Sequence, residues 1–273
     1  MGGGQVSEFR ARITASVTAL WDGTPPALLF SGGTDSLTVL WSLLEVGARP
    51  TCYTFHLEGT RHADLVVSEQ VAAADGLDHR VVTIPRNIKQ LEADCRSIVN
   101  RFGTARKTHV QCLYPMLHIA PEVTEQQVFT GLNADDWWGS AKSDAINCAK
   151  DPEEFDKRRA KRQADPTTSG FAFWNKLFAG LGHELCCPYR DRALVRWMLS
   201  KTWPELMRPK QKQPAVEGYR EEFVRHACYR LNDNLQCGSG IREWHDVLLS
   251  QPCNTRGRKS VAGLYRDMME GRA

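Results

Sequence analysis

The first half of the chain alternates short apolar runs with segments in which apolar residues recur at helical spacing. Ala27 to Phe30, Thr51 to Leu57 and Arg80 to Ile84 are short runs bounded by turn residues, a pattern that predicts buried strands. The segments between them carry leucine and valine at helical spacing and end near Gly47 and Gly76. This alternating order predicts an α/β fold with a doubly wound, mostly parallel sheet.

The same patterns extend the prediction along the chain. Ile88 to Phe102 and Leu113 to Ala120 are predicted helices, and Gln127 to Thr130 is a further predicted strand. From about Asp151 the composition becomes more charged, and from Phe171 onward we expect mainly helix. Three parts follow from this division: an N-terminal helix over 1–24, an α/β core over 25–145 and a mainly helical C-terminal part over 146–273.

Composition narrows the class of protein. The 273 residues are 42% hydrophobic and 25% charged, which is ordinary for a globular enzyme. A net charge of +3 is too small to indicate a nucleic-acid surface by itself. No apolar run approaches the roughly 18 residues of a membrane span, and the N-terminus has no apolar signal segment. Nine scattered cysteines indicate reduced thiols, so we expect a cytoplasmic protein without membrane contact.

The hexapeptide Ser31-Gly32-Gly33-Thr34-Asp35-Ser36 lies between the first predicted strand and the helix that follows it. In a parallel sheet this is the carboxyl end of a strand, where ligands bind. Glycines permit close approach of a ligand, and backbone N–H groups at the start of a helix attract anions. The pattern therefore predicts a cradle for a phosphate chain, with Asp35 sharing a bound Mg²⁺. A plain turn with a Ser or Asp N-cap is the alternative.

At these residues the chain resembles the PP-loop ATP pyrophosphatases, whose signature is S-G-G-x-D-S. Neither a Walker loop nor a dinucleotide fingerprint is present. Enzymes of this superfamily cleave ATP to AMP and pyrophosphate and activate an oxygen of their substrate by adenylation. The resemblance implies an adenine-nucleotide α-hydrolase-like fold, with ATP bound by the core. It assigns nucleotide binding to Ser31, Gly32, Gly33, Thr34, Asp35 and Ser36.

A second segment, QVFTGLNADDWWGS from Gln127 to Ser140, places two acids after a predicted strand. It is similar to the G-x-G-x-D-E-L-F-G-G segment in the synthetase domain of asparagine synthetases. The resemblance implies that Gly131 lies in the nucleotide site and that Asp135 binds Mg²⁺ together with Asp35. Asp136 stands where the family has Glu and is a third candidate metal ligand. A solvated acidic helix start is the alternative.

Two later segments also resemble the asparagine and β-lactam synthetases. Gly182 to Met207 matches a family run in which Glu184 is the candidate to orient or deprotonate an amine. Tyr229 to Leu249 resembles the family's closing loop, which makes Arg230 a candidate catalytic residue. We therefore expect the C-terminal part to hold the substrate and close over the site.

The chain departs from the family at two positions that serve the amide-forming step. Leu132 stands where the family has a proton-transferring Glu or Tyr, and Asn232 stands where it has a lysine. Lys210 and Lys212 are candidate substitutes for that lysine, with ordinary surface lysines as the alternative.

The resemblance predicts a ligase that adenylates a carboxylate and passes the acyl group to an amine or ammonia. Only about 25 residues precede the loop, too few for the glutaminase domain of asparagine synthetases. We therefore expect free ammonia, an amine, or ammonia from a separate amidotransferase as the nucleophile. The carboxylate belongs to a small molecule or a nucleobase.

Two other functions stay open. One is a PP-loop enzyme that modifies a nucleobase, a tRNA or a deazapurine, and the basic run from Lys157 to Arg162 keeps nucleic-acid contact open. The other is a nucleotide-binding homologue whose catalysis is altered at Leu132 and Asn232.

Overall fold

A five-stranded sheet organises the fold in the computed structural model, which describes residues 7–140, 147, 151–164, 170–231 and 235–273. The strands are β1 (Ala27–Leu29), β2 (Thr51–Leu57), β3 (His79–Ile84), β4 (Gln127–Thr130) and β5 (Glu184–Cys186). Their order across the sheet is β3-β2-β1-β4-β5. Because the chain moves outward from β1 first to one side and then to the other, the sheet is doubly wound.

The central strands pair in parallel. Ala27 of β1 aligns with Thr51 of β2 on one side and with Val128 of β4 on the other. Strand β5 runs parallel to β4, with Gln127 opposite Glu184. All residues of β1 and β4 are buried, as expected for strands covered by helices on both faces. The predicted fold class is confirmed.

Fifteen α-helices lie within the described residues. They are α1 (Glu8–Leu20), α2 (Thr34–Glu45), α3 (Ala63–Ala74), α4 (Ile88–Phe102), α5 (Lys107–Ile119), α6 (Ala134–Trp138), α7 (Pro152–Ala164), α8 (Phe171–Ala179), α9 (Arg192–Leu199), α10 (Trp203–Met207), α11 (Gln213–Gly218), α12 (Arg220–His226), α13 (Leu235–Gly238), α14 (Ile241–Asp246) and α15 (Val261–Met269). None of these helices is both long enough and apolar enough to cross a membrane.

The chain forms two compact units that interleave along the sequence. The first contains Met1–Tyr53, Val67–Arg80 and Thr124–Asn232, and the second contains Thr54–Val66, Val81–Val123 and Asp233–Ala273. This division differs from the expected boundary near residue 145, because both sides of that position belong to the first unit. The reason is physical: β4 and β5 are neighbours in one sheet, so the segments that carry them share one core.

Aromatic side chains fill much of the core of the first unit. Phe9 of α1 lies with its ring centroid 5.3 Å from Trp138 and 6.0 Å from Trp197. Helix α1 begins after Ser7, whose Oγ accepts a hydrogen bond from the backbone N–H of Arg10 at 3.2 Å. The cap and the buried Phe9 together fix this helix against the core.

The second unit is mostly helical. Helix α4 starts after Asn87, whose side chain caps it, and ends at Gly103 with a φ of 63°. His245 of α14 is fully buried, and its Nδ1 forms a hydrogen bond with Tyr265 Oη at 2.6 Å. The Cys95 thiol lies 3.6 Å from the same nitrogen.

Two elements differ from the sequence prediction. Helix α5 begins at Lys107, well before the predicted start at Leu113, and it contains Pro115. Strand β5 falls in a region predicted to be mainly helical, because a three-residue strand is too short to show a period in the sequence.

Candidate active site

The hexapeptide between β1 and α2 is folded by its own hydroxyl groups. Ser31 Oγ accepts a hydrogen bond from the Gly33 N–H at 3.3 Å and lies 3.2 Å from Ser36 Oγ. Ser36 Oγ also donates to the Gly33 carbonyl at 3.0 Å. These contacts give the loop a defined shape and leave other backbone groups of the loop to make further polar contacts.

The start of α2 is arranged for an anion. Its N-cap is Gly33, which has no side chain to cap the helix, so the alternative of an ordinary Ser or Asp cap is wrong. The N–H groups of Thr34, Asp35 and Ser36 belong to the first turn, which has no intrahelical acceptors. These groups and the positive end of the helix dipole favour a phosphate.

Two glycines let separate segments approach closely. Gly32 has a φ of +64°, and a Cβ there would lie 2.8 Å from Val67 Cγ1 of α3. Gly131, directly after β4, packs against the loop so tightly that a Cβ would lie 2.8 Å from the Asp35 carbonyl carbon. Gly131 therefore brings the β4 loop onto the hexapeptide, a packing role beside the predicted nucleotide contact.

The position of the loop in the sheet matches a general rule for ligand sites. In doubly wound sheets ligands bind beyond the carboxyl ends of the strands, at the point where the strand order reverses. Here the reversal lies between β1 and β4. The hexapeptide follows β1, and the segment with Gly131 and Asp135 follows β4.

A buried lysine joins the two predicted metal-binding acids. Lys212 Nζ lies 2.5 Å from Asp35 Oδ2 and 2.8 Å from Asp135 Oδ1. Asp35 Oδ1 also accepts a hydrogen bond from Trp138 Nε1 at 3.0 Å, and Asp135 Oδ1 accepts one from Ser140 Oγ at 2.5 Å. The predicted proximity of Asp35 and Asp135 is present, and the cation between them is an ammonium group.

The electrostatics of this cluster follow from its burial. Burial raises the pKa of the Asp35 carboxyl to about 6 against the opposing pull of Lys212, and Asp135 adds to the rise. Burial acts to lower the pKa of Lys212, but Asp135 and Asp35 outweigh it, so the pKa is raised. At neutral pH the lysine is charged and Asp35 is mostly ionised, so the ion pair is formed.

The family implies Mg²⁺ at this acidic pair, and the residues present do not fit it as they stand. The facing oxygens of Asp35 and Asp135 already contact Lys212 Nζ, which takes the place of a shared metal. Asp136 Oδ2 accepts a hydrogen bond from Asn133 Nδ2 at 2.6 Å and therefore does not face the pair of Asp35 and Asp135. Within the described residues no group of three or more His, Cys, Asp or Glu side chains is arranged to hold a metal.

Arg230 is close to the hexapeptide, whereas Lys210 is turned elsewhere. Arg230 Nη2 donates to the Ser31 carbonyl at 3.3 Å. The exposed Lys210 places its Nζ 5.0 Å from the centre of the Tyr229 ring. The structure therefore brings Lys212 and Arg230 to the candidate site, while Lys210 makes a cation–π contact beside it.

The structure corrects the prediction for Glu184. This residue begins β5 opposite Gln127, the first residue of β4, and accepts a hydrogen bond from its Nε2 at 3.1 Å. Gly131 and Asp135 follow the other end of β4, about 10 Å further along the strand at its usual rise. Glu184 therefore lies at the amino edge of the sheet and is not a residue of this site.

The family's position for proton transfer is occupied here by an apolar side chain. Leu132 is partly buried against the hydrophobic core, and its carbonyl accepts a hydrogen bond from the Cys187 thiol at 2.9 Å. Asn232, the other departure from the family, lies outside the described residues.

Sequence reasoning missed two partners of the acids. Trp138 and Ser140 lie two and four residues after Asp136, so their nearness in sequence was the available signal. Their buried side chains orient Asp35 and Asp135 by hydrogen bonds. Both tryptophans of this segment, Trp137 and Trp138, therefore belong to the hydrophobic core.

The strand reversal, the uncapped start of α2 and the nearby cations define an α/β protein whose loop after β1 suits an anionic ligand. Residues 8–142 match the family described as asparagine synthase. These residues therefore belong to the PP-loop ATP pyrophosphatase superfamily and form a synthetase-type core. This membership implies an enzyme that binds ATP and cleaves it between the α- and β-phosphates.

No curated protein matches the chain. Two solved structures show a distant likeness. The match to the predicted subunit of a tRNA methyltransferase from Methanocaldococcus jannaschii has 15% sequence identity and a TM-score of 0.34. It covers 77% of this chain and 94% of that protein's chain. The match to the U34-tRNA thiolase from Methanococcus maripaludis has 13% sequence identity and a TM-score of 0.40. It covers 97% of this chain and 77% of that protein's chain.

Proposed function

We propose that this protein is an ATP-dependent ligase that adenylates a carboxylate and transfers the acyl group to an amine or ammonia. A carboxylate oxygen attacks the α-phosphorus of ATP, and the bond to the β-phosphate oxygen breaks. The amine then attacks the acyl carbon, loses a proton and displaces AMP. The observation that carries the proposal is the uncapped start of α2 at the β1/β4 reversal, in a chain of the asparagine synthase family.

The residues around the loop suit the departing pyrophosphate. Its negative charge would meet the first-turn N–H groups of α2, which are fixed before the reaction and need no rearrangement. Arg230 adds a positive charge at the Ser31 carbonyl, and Lys212 reduces the negative charge of Asp35 and Asp135, which would otherwise repel a phosphate. Together these groups offset charge that develops on the β-phosphate as the bond breaks.

Few protein groups are placed to assist the second half-reaction, in which the amine attacks the acyl carbon. Leu132 carries no titratable group, and Glu184 lies at the opposite edge of the sheet. We therefore propose that the nucleophile is already neutral when it binds, as free ammonia or an amine, or as ammonia from a separate amidotransferase. In this scheme Lys210 and Lys212 remain candidates to stabilise the acyl-adenylate, with Lys212 the nearer to the loop.

The basic run gives no separate support to a nucleic-acid substrate. Lys157 and Arg158 each form an ion pair with a glutamate one helical turn earlier in α7. Arg159 is buried and donates to the carbonyls of Met198, Leu199 and Lys201. Three of the charges in this run are therefore occupied within the protein.

The experiment is an isotope-transfer assay. Panels of ¹⁸O-labelled carboxylates are incubated with ATP and with ammonia or amines, and the AMP is analysed by mass spectrometry. Adenylation transfers one carboxylate oxygen to AMP, so labelled AMP is expected with the correct acid. Release of pyrophosphate with unlabelled AMP would contradict this mechanism. Turnover only when a parallel sample contains RNA would identify a nucleic-acid-modifying enzyme instead.

A further inference from the structure

Lys212 is held in an unusual way for a lysine. Its side chain is 1% exposed, although those of Asp35 and Asp135 are 16% and 48% exposed. An ammonium group is strongly hydrated and is almost never fully buried unless it is paired. The two carboxylates supply that pairing, so the lysine is an internal part of the acidic site.

The backbone at this position supports the same placement. Lys212 has φ 59° and ψ 43°, the left-handed conformation, which is costly for a side chain with a Cβ. Its carbonyl accepts hydrogen bonds from the N–H groups of Ala215 and Val216, which lie in the first turn of helix α11. Strained residues of this kind persist where the surrounding structure fixes them, and they cluster at functional sites.

Lys212 and a shared metal ion exclude one another. Mg²⁺ requires oxygen ligands at about 2.0 to 2.1 Å in an octahedral arrangement. An ion between Asp35 and Asp135 would need the space that Nζ fills at 2.5 and 2.8 Å from their oxygens. The ammonium would also repel a divalent cation at that distance.

We infer that Lys212 is the resident cation of this site and that the free protein binds no divalent metal between Asp35 and Asp135. The family resemblance assigns a metal to these acids, so the chain departs from its family at the acidic pair. The two carboxylates and one ammonium carry a formal charge of −1, half the charge of the acids alone. The inference goes beyond the proposed function, because it concerns the cation at the site and holds for any reaction there.

The test removes the lysine without disturbing the backbone. Lys212→Gly suits the left-handed conformation, because glycine adopts it without strain. Binding of Mn²⁺ is measured by electron paramagnetic resonance without nucleotide, and melting temperatures are recorded with and without Mn²⁺. We expect Lys212→Gly to bind one Mn²⁺ roughly tenfold or more tightly than the wild type and to melt higher when it is present.

Two variants serve as controls. Lys210→Gly removes an exposed lysine from the same loop and should gain no Mn²⁺ binding. Lys212→Gly with Asp135→Asn should lose the binding that Lys212→Gly gained. Wild-type binding of Mn²⁺ that Asp135→Asn abolishes would overturn the inference. So would a folded Lys212→Gly variant that binds Mn²⁺ no better than the wild type and shows no rise in melting temperature.

Discussion

At the scale of single residues, the shape of the phosphate loop depends on Gly32 more than on its neighbour Gly33. Gly32 needs a left-handed backbone and has α3 against it, with Val67 Cγ1 only 2.8 Å from the place of a Cβ. Gly33 has φ −78° and ψ 158°, which any residue adopts, and a Cβ there would meet only Ser31 Oγ at 3.3 Å.

We therefore expect Gly32→Ala to lower the free energy of unfolding by about 2 to 4 kcal/mol, from backbone strain plus overpacking. Gly33→Ala, the matched control in the same loop, should cost less than about 1 kcal/mol. Urea unfolding of both variants measures the difference. Equal losses would show that the conformation of Gly32 does not determine the loop.

The local part of the site was predictable, and the distant part was not. The hexapeptide and the Asp135-Asp136 pair can be recognised in the sequence because glycine, hydroxyl and acidic residues follow predicted strands. The contact between Lys212 and Asp35 joins residues 177 positions apart, and no pattern in the sequence marks it. Glu184 was a candidate only through the family resemblance, which does not show at which edge of the sheet a residue lies.

At the scale of elements, Arg159 ties α7 to the end of α9. Its guanidinium donates to the carbonyls of Met198, Leu199 and Lys201, and its Nη2 also contacts Asp156 Oδ1. The last carbonyls of a helix have no intrahelical donors, so this buried cation supplies donors to the Leu199 and Lys201 carbonyls, whereas the Met198 carbonyl also accepts from the Lys201 N–H.

Arg159→Met should therefore cost about 3 kcal/mol of unfolding free energy, because it leaves buried carbonyls without donors. Lys157→Met, in the same helix, removes an exposed ion pair and should cost less than about 0.5 kcal/mol. Denaturant unfolding separates the two. A small loss for Arg159→Met would mean that α7 does not depend on this anchor.

Helix α14 carries a buried histidine that should respond to acid. Burial lowers the pKa of His245 to about 3, and Lys107 acts in the same direction. In the unfolded chain the imidazole titrates near its model value of 6.5. Below that pH the unfolded state therefore binds a proton that the folded state does not, and stability falls as the pH is lowered.

Between about pH 7 and about pH 5 this difference amounts to about 2 kcal/mol. We expect His245→Gln, whose amide can still hydrogen-bond Tyr265, to lose about 2 kcal/mol less stability than the wild type over the same interval. Urea unfolding at both pH values is the measurement. Parallel losses in the variant and the wild type would show that His245 does not govern the acid response.

The helices and strands were largely predictable where apolar residues recur at a regular spacing. The strands β1 to β4 and the long helices of the first half follow from their apolar spacing. Helix α5 starts earlier than predicted, since the pattern before Leu113 mixes polar and apolar residues.

At the scale of the whole molecule, the sequence order of the chain does not follow its compact units. Each unit is assembled from three separated segments. The shift in composition that predicted a boundary near residue 145 reflects only the residues close to it in sequence. It does not indicate which strands become neighbours in the sheet. The family match over residues 8–142 covers only part of the first unit and extends into the second.

The central claim is that this fold cleaves ATP between the α- and β-phosphates. The most direct measurement is ³¹P nuclear magnetic resonance of the products formed from ATP by the full chain, with carboxylates and ammonia present. The account predicts AMP and pyrophosphate in equal amounts, with formation suppressed in Gly32→Ala. Products of ADP and inorganic phosphate would contradict it.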